Sequence, residues 1–330
     1  MKIAIFGAGS IGCYIGGHLL ANGQNVTLFG RERLAKTIEQ YGLTLSQKSS
    51  NTIHIKDVPY ETDLTSLTSA DVIILTVKSQ DTANAAQQIT EHISPDAVIM
   101  SLQNGVANTD TIKSILPTYK VYGAMVPYNV VGLGEGKFHR GTGGDLVLET
   151  GTETEVLVET LTDAGLEART TTDIIGVQWS KLLVNLNNAL NLLSDMPLWA
   201  QVGQRAFRQI WADMIDEGLV VLKAEGIAPA PMSGPDPVKL RGLIRLPNFI
   251  YQPIANRMTT IDPEARSSMW EDLKFGRSPE VDYLQGEISK LGRKHGIPTP
   301  INDRVLQLVK QAFAEKKSPA LTGKALRSLL

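Results

Sequence analysis

A doubly wound α/β sheet followed by an all-helical half is the fold class predicted for this 330-residue chain. Three observations predict it. Short β-like runs alternate with helical patterns through the first half, as parallel strands joined by crossover helices require. A glycine-rich turn links the first strand to the first helix. After about residue 172 the strand-like runs stop and helical periodicity takes over.

Taken in order, Lys2–Phe6 is the first predicted strand, followed by a helix from about Ser10 to Asn22 and a strand at Val26–Phe29. Asp71–Val77 and Val98–Leu102 are continuous apolar runs rich in β-branched residues, the pattern of strands covered on both faces. Val121–Val126 reads as a further strand. The glycine-rich stretch from Gly132 to Gly144, flanked by the alternating Asp145–Glu149, predicts hairpins that close this domain. Helical patterns then cover Gly176–Leu193, Arg205–Glu225, Ser267–Lys274, Tyr283–His295 and Asp303–Lys316. The proline-rich stretch from Ala228 to Pro237 reads as a loop or hinge. The tail from Lys316 to Leu330 is either a short docking helix or disordered. The expected domains are 1–170 and 171–330.

The formal net charge of −2, without a long basic or acidic block, argues against nucleic acid or a membrane surface as partner. The apolar run at the N-terminus is too short for a signal-peptide core, and no apolar segment approaches membrane-spanning length. The single cysteine, Cys13, excludes an intrachain disulfide and a thiolate zinc cluster; it reads as a small packed residue. The five histidines show no metal-ligand spacing. The expectation is a cytoplasmic protein that binds small molecules and no metal, with apolar helical faces that leave room for a homodimer.

Gly7-Ala8-Gly9-Ser10-Ile11-Gly12 reads G-x-G-x-x-G between a predicted strand and a predicted helix, the context that a dinucleotide-binding turn needs. Gly7 permits the tight turn, Gly9 the approach of a pyrophosphate, and Gly12 close helix–strand packing. This makes the sheet Rossmann-type. NAD sites carry an acid at the end of the second strand. Here that position is Gly30, followed by Arg31, Glu32 and Arg33. Arg31 can grip a 2′-phosphate, which favours NADPH; in the competing reading the arginines are solvated and Glu32 meets the ribose. Lys78 and Asn104 follow two further strands and can reach the same ligand, although a surface lysine and an ordinary Asn-Gly turn have the same appearance.

Lys181, Asn185 and Asn188 fall at i, i+4 and i+7 of a helical pattern whose other faces are largely leucine. A helix so apolar is buried, and an ammonium group inside it needs partners or a task, unless its head reaches solvent.

The glycine turn with Arg31, Val77-Lys78, Gln103-Asn104-Gly105, Trp179-x-Lys181-Leu182-x-x-Asn185, Ser267-Ser268-Met269 and Glu280-Val281-Asp282-Tyr283 occur in this order. Together they resemble the ketopantoate reductase (2-dehydropantoate 2-reductase) family from residue 1 to about 310. The resemblance implies NADPH-dependent reduction of a 2-oxo acid, foremost 2-dehydropantoate. It implies Lys181 as the catalytic lysine, Glu280 as its acidic partner, and substrate contacts from Asn185 and Ser268. Asn188 adds a further neutral hydrogen bond. Pantoate-forming members carry an asparagine where this chain has Ala189, and another where it has Ala265. Those departures leave room for another ketone, as in hydroxy-acid or opine-type dehydrogenases. A non-catalytic NADPH-binding sensor is a third reading, one that would not need Lys181 and Glu280.

Overall fold

The structure, a computed structural model, describes residues 1–48, 52–233, 236–258 and 265–330. Gly234 and Pro235 of the proline-rich stretch lie outside the described residues. The chain divides into two units, Met1–Gln178 and Trp179–Leu330, and the division falls inside the helix Ile174–Asn185.

Eight strands form the main sheet of the first unit. Their spatial order is Ala168–Thr171, Leu146–Glu149, Lys120–Met125, Val98–Ser101, Val72–Leu75, Lys2–Phe6, Asn25–Phe29 and Tyr60–Glu61. Neighbours are parallel except Leu146–Glu149 against Lys120–Met125. The four buried residues of Val72–Leu75 and of Val98–Ser101 show why their runs lack alternation: both faces are covered. Lys2–Phe6 lies between Val72–Leu75 and Asn25–Phe29, so strand order reverses at its carboxyl end, where ligands bind in such sheets. The strand expected over Asp71–Val77 is shorter. Beyond Leu75 the backbone of Thr76 turns, its N–H donating to Phe6 O (2.9 Å) and its hydroxyl to Gly7 O (2.8 Å).

The helix Ser10–Ala21 is buried from Gly12 to Leu19, on both sides. A second sheet, not foreseen from periodicity, covers its outer face: Ile53–Ile55, Leu43–Gln47, Lys137–Arg140 and Val130–Gly134, in that order. Adjacent glycines let the helix fit between two sheets. A Cβ on Gly16 would come 2.4 Å from Leu28 of the main sheet, and one on Gly17 would come 2.7 Å from Leu43 and Leu45 of the second. The glycine-rich segment therefore does make a hairpin, Val130–Gly134 with Lys137–Arg140, but one that closes over this helix.

The second unit is helical around Arg205–Glu225, which buries Phe207, Ile210, Trp211, Met214 and Ile215 and ends at Gly226 in the left-handed region. Gln285–His295, Pro300–Ala314, Pro237–Ile244 and Gly323–Arg327 pack against it. Glu217 on its flank accepts hydrogen bonds from the first-turn N–H groups of Ile301 and Asn302, both at 2.9 Å, and so caps Pro300–Ala314.

Several helix boundaries differ from the expected ones; the helix expected over Asp303–Lys316, for example, runs Pro300–Ala314. The segment Gly176–Leu193 is two helices, Ile174–Asn185 and Asn187–Ser194, separated at Leu186, whose carbonyl accepts the Gln285 amide at 2.9 Å. Tyr283–His295 begins instead as a 3-10 turn, Val281–Tyr283, before the helix Gln285–His295. Ser267 is the N-cap of Ser268–Lys274 rather than its first residue, because its hydroxyl accepts the Trp270 N–H. The C-terminal tail docks: Leu326 is buried, and Arg327 pairs with Asp213 at 2.6 Å.

Candidate active site

In the first unit the glycine turn is built by strand-end hydrogen bonds. The N–H groups of Gly7 and Ala8 both donate to Phe29 O, at 3.0 and 2.8 Å, and Gly9 N–H donates to Gly7 O at 2.6 Å. The first intrahelical bond runs from Cys13 to Gly9 O. Helix geometry therefore leaves the N–H groups of Ser10, Ile11 and Gly12 without intrahelical acceptors, at the positive end of the helix dipole. Gly9 is exposed, and a Cβ there would meet only Gly7 O, at 3.8 Å. Gly12 is buried, and its Cβ would come 2.6 Å from Thr76 Oγ1. One glycine thus keeps the approach to the N–H groups open while the other brings helix and strand together. A pyrophosphate fits this cradle.

Lys78 and Asn104 follow two neighbouring strands, and a polar network ties the ends of those strands together. Ser79 Oγ donates to Asn104 O (2.6 Å), as does Asn108 Nδ2 (2.5 Å). Gln103 Nε2 donates to Val77 O (3.1 Å) and Thr82 Oγ1 (2.7 Å). Ser79, Thr82, Gln103 and Asn108 are all buried. In the sequence Gln103 stands only within the Gln103-Asn104-Gly105 motif; its position at a strand end after an apolar run is the signal for its role.

Arg31 is exposed at the N-cap of Glu32–Tyr41. Glu32 points along that helix and pairs with Lys36 at 3.3 Å, which weakens the reading that it serves the ribose. At Gly30 the structure reveals a residue that no motif contained: a Cβ built there would lie 2.2 Å from the hydroxyl of Tyr60. Cys13 packs away from all this, its sulfur on Ala8 O at 3.6 Å, and burial pushes its thiol up to about 12.

The second unit carries Lys181, Asn185, Asn188, Ser268 and Glu280. The apolar side of the lysine helix Ile174–Asn185 meets Arg205–Glu225 at Gly218, where a Cβ would come 2.4 Å from Leu183. Ser180 is fully buried and donates to Ala230 O (2.7 Å), fixing the proline-rich loop to the same helix. The Ser267 hydroxyl donates to Asn188 O (3.1 Å), and its N–H donates to Asn191 Oδ1 (2.9 Å), which sets the start of the Ser268 helix on Asn187–Ser194. The bond from Gln285 to Leu186 O does the same for the turn that carries Glu280. Asn191 and Gln285 are fully buried, and sequence periodicity did not single them out. Asn185, Asn188 and Ser268 stay partly exposed, whereas Ala189 is fully buried. Burial pushes the Lys181 ammonium down to about 8, and the Glu280 carboxylate acts in the opposite direction.

Among the described residues no group of His, Cys, Asp or Glu is arranged to hold a metal ion, and no helix is long and apolar enough to cross a membrane. An anion-binding turn at a sheet switch point, joined in one chain to a desolvated lysine under the influence of a carboxylate, defines the class: an oxidoreductase that uses a nicotinamide cofactor. Comparison with known proteins makes this more particular. Residues 3–153 match the family described as Ketopantoate reductase PanE/ApbA, and residues 173–313 match its C-terminal domain. The chain belongs to the ketopantoate reductase family. It is 29% identical over 320 residues to the 2-dehydropantoate 2-reductase of Pyrococcus horikoshii, covering 94% of this chain and 97% of that one. The solved structure of a PanE/ApbA family ketopantoate reductase from Ralstonia eutropha JMP134 is 31% identical, with TM-score 0.83 over 96% of this chain and 99% of that one. A D-mandelate dehydrogenase solved in complex with NADH is 25% identical, with TM-score 0.79 over 96% and 100%.

Proposed function

We propose that this protein reduces a 2-oxo acid to a 2-hydroxy acid with NADPH, its substrate being 2-dehydropantoate. The supporting observation is the lysine whose pKa is brought near neutrality while an acid stands by it. Residues 1–170 bind the cofactor, and 171–330 supply the acid and the substrate contacts. Ser10, Ile11 and Gly12 N–H groups hold the pyrophosphate, Arg31 the 2′-phosphate, and Lys78 and Asn104 the nicotinamide half. NADPH supplies the hydride. Lys181 polarises the ketone oxygen and gives it a proton from Nζ as alkoxide character develops. Glu280 favours the charged lysine, and Asn185, Asn188 and Ser268 fix the substrate through neutral hydrogen bonds.

The test is oxidation of NADPH, followed by its absorbance, across a panel of 2-oxo acids. Turnover with 2-dehydropantoate far above its homologues is the expected result, and NADPH binding without any turnover would overturn the reading. The pH profile checks the acid. Only the ammonium form donates a proton, so the reduction rate should fall as pH rises through about 8. Glu280→Gln removes the charge that raises the Lys181 pKa, so that limb should move to lower pH; an unmoved limb would separate the two residues. Arg31→Ala should weaken NADPH by about tenfold or more, the scale of a charge-assisted hydrogen bond, and NADH little. Equal losses would mean that Arg31 does not read the 2′-phosphate.

A second reading has its own support. Ala189 puts a buried methyl where the pantoate-forming pattern has an asparagine, and a D-mandelate dehydrogenase shares the fold over nearly the whole chain. A bulkier 2-oxo acid as preferred panel member is the outcome that would favour it.

A further inference from the structure

Gly30 occupies the position where NAD-binding sheets carry the acid that accepts the ribose 2′-hydroxyl. Its missing side chain is not an open space. The Tyr60 hydroxyl lies 2.2 Å from where a Cβ would be, and the Tyr60 ring carbon bearing that hydroxyl lies 3.1 Å away. Tyr60 belongs to the edge strand Tyr60–Glu61, held beside Asn25–Phe29 by bonds from Leu28 N–H to Pro59 O (2.8 Å) and from Gly30 N–H to Glu61 O (3.1 Å). Its ring crosses the strand end, and the same Gly30 position faces Ala8 of the glycine turn at 3.4 Å. The phenol therefore takes the place of the missing carboxylate. It reverses the chemistry there, since a phenol donates a hydrogen bond where a carboxylate could only accept one.

The hydroxyl is buried and has no hydrogen-bond partner among the described residues. A buried hydroxyl left unpaired is a net cost to the fold unless a ligand completes it. Burial and the nearby Cys13 raise the pKa of this hydroxyl, and the charge of Arg31, the next residue after Gly30, acts against them. A phenol against Gly30 and, one residue later, the guanidinium of Arg31 thus belong to the end of the second strand, where the 2′ substituent of the adenine ribose is expected.

We propose that Tyr60 is a specificity-determining residue of the cofactor site: its hydroxyl donates to the 2′-phosphate of NADPH alongside Arg31, and its position excludes an acid at residue 30. This rests on the NADPH reading above. The test is Tyr60→Phe, with the purified protein titrated with NADPH and with NADH by fluorescence and its thermal unfolding measured without cofactor. NADPH affinity should fall about tenfold while NADH affinity stays within about twofold. The melting temperature of the cofactor-free protein should not fall and is expected to rise, because an unpaired buried hydroxyl is removed. This opposition of stability and affinity is the signature of a group kept for a ligand. Unchanged NADPH affinity, equal losses for both cofactors, or a lower melting temperature would each overturn the proposal. If the wild-type protein binds NADH as tightly as NADPH, the NADPH reading itself fails, and that is seen before any variant is made.

Discussion

Lys181→Ala is expected to lower kcat by about a hundredfold or more while leaving NADPH affinity nearly intact. The size follows from what is lost: a positioned general acid contributes about 10²–10⁴-fold. The separation of the two effects follows from the architecture. The phosphate cradle belongs to Met1–Gln178 and Lys181 to Trp179–Leu330. Steady-state kinetics with saturating 2-oxo acid and a cofactor titration on the same preparation are the measurements. Turnover close to wild type would remove Lys181 from the mechanism.

The second large effect concerns two glycines only two residues apart, with different outcomes expected. Gly7 has φ +94°, and a Cβ on it would lie 2.4 Å from Val77 Cγ1 and 2.6 Å from the Val77 backbone nitrogen. Backbone cannot move aside cheaply, so Gly7→Ala should destabilise the first unit by about 2–5 kcal/mol, combining strain and overpacking. Cofactor binding should be lost with it. Gly9 has φ −96°, which any residue adopts, and open space where its Cβ would be. Gly9→Ala should therefore melt like the wild type yet bind NADPH at least about tenfold more weakly, because the methyl occupies the approach of the pyrophosphate. Melting curves and cofactor titrations on both variants check this. A Gly9→Ala protein with full affinity would show that the cradle is not the phosphate site.

Much of the first sheet could be read from the sequence because its strands have a local signature. Val72–Leu75 and Val98–Ser101 are apolar runs broken by turn residues, and the glycine turn announces itself within six positions. The second sheet had no such signature. Leu43–Gln47 and Ile53–Ile55 alternate weakly, and they form strands because the helix Ser10–Ala21 needs a cover on its outer face. The single helix expected over Gly176–Leu193 is divided for a similar reason. Leu186 is a good helix former, and the interruption coincides with Gln285, ninety-nine residues away, bonding its carbonyl.

The sequence by itself determined the glycine turn, the arginine after the second strand, and a lysine and two asparagines at helical spacing. Each is a matter of neighbouring residues, and turn chemistry and periodicity act over neighbouring residues. Tertiary structure decided what those residues face. It placed the Tyr60 phenol over Gly30 and buried Ala189 while leaving Asn188 partly exposed. It also drew the Lys181 pKa to about 8 under the opposing charge of Glu280. Desolvation and long-range hydrogen bonds depend on residues distant in the chain, and no local pattern records which of them will meet.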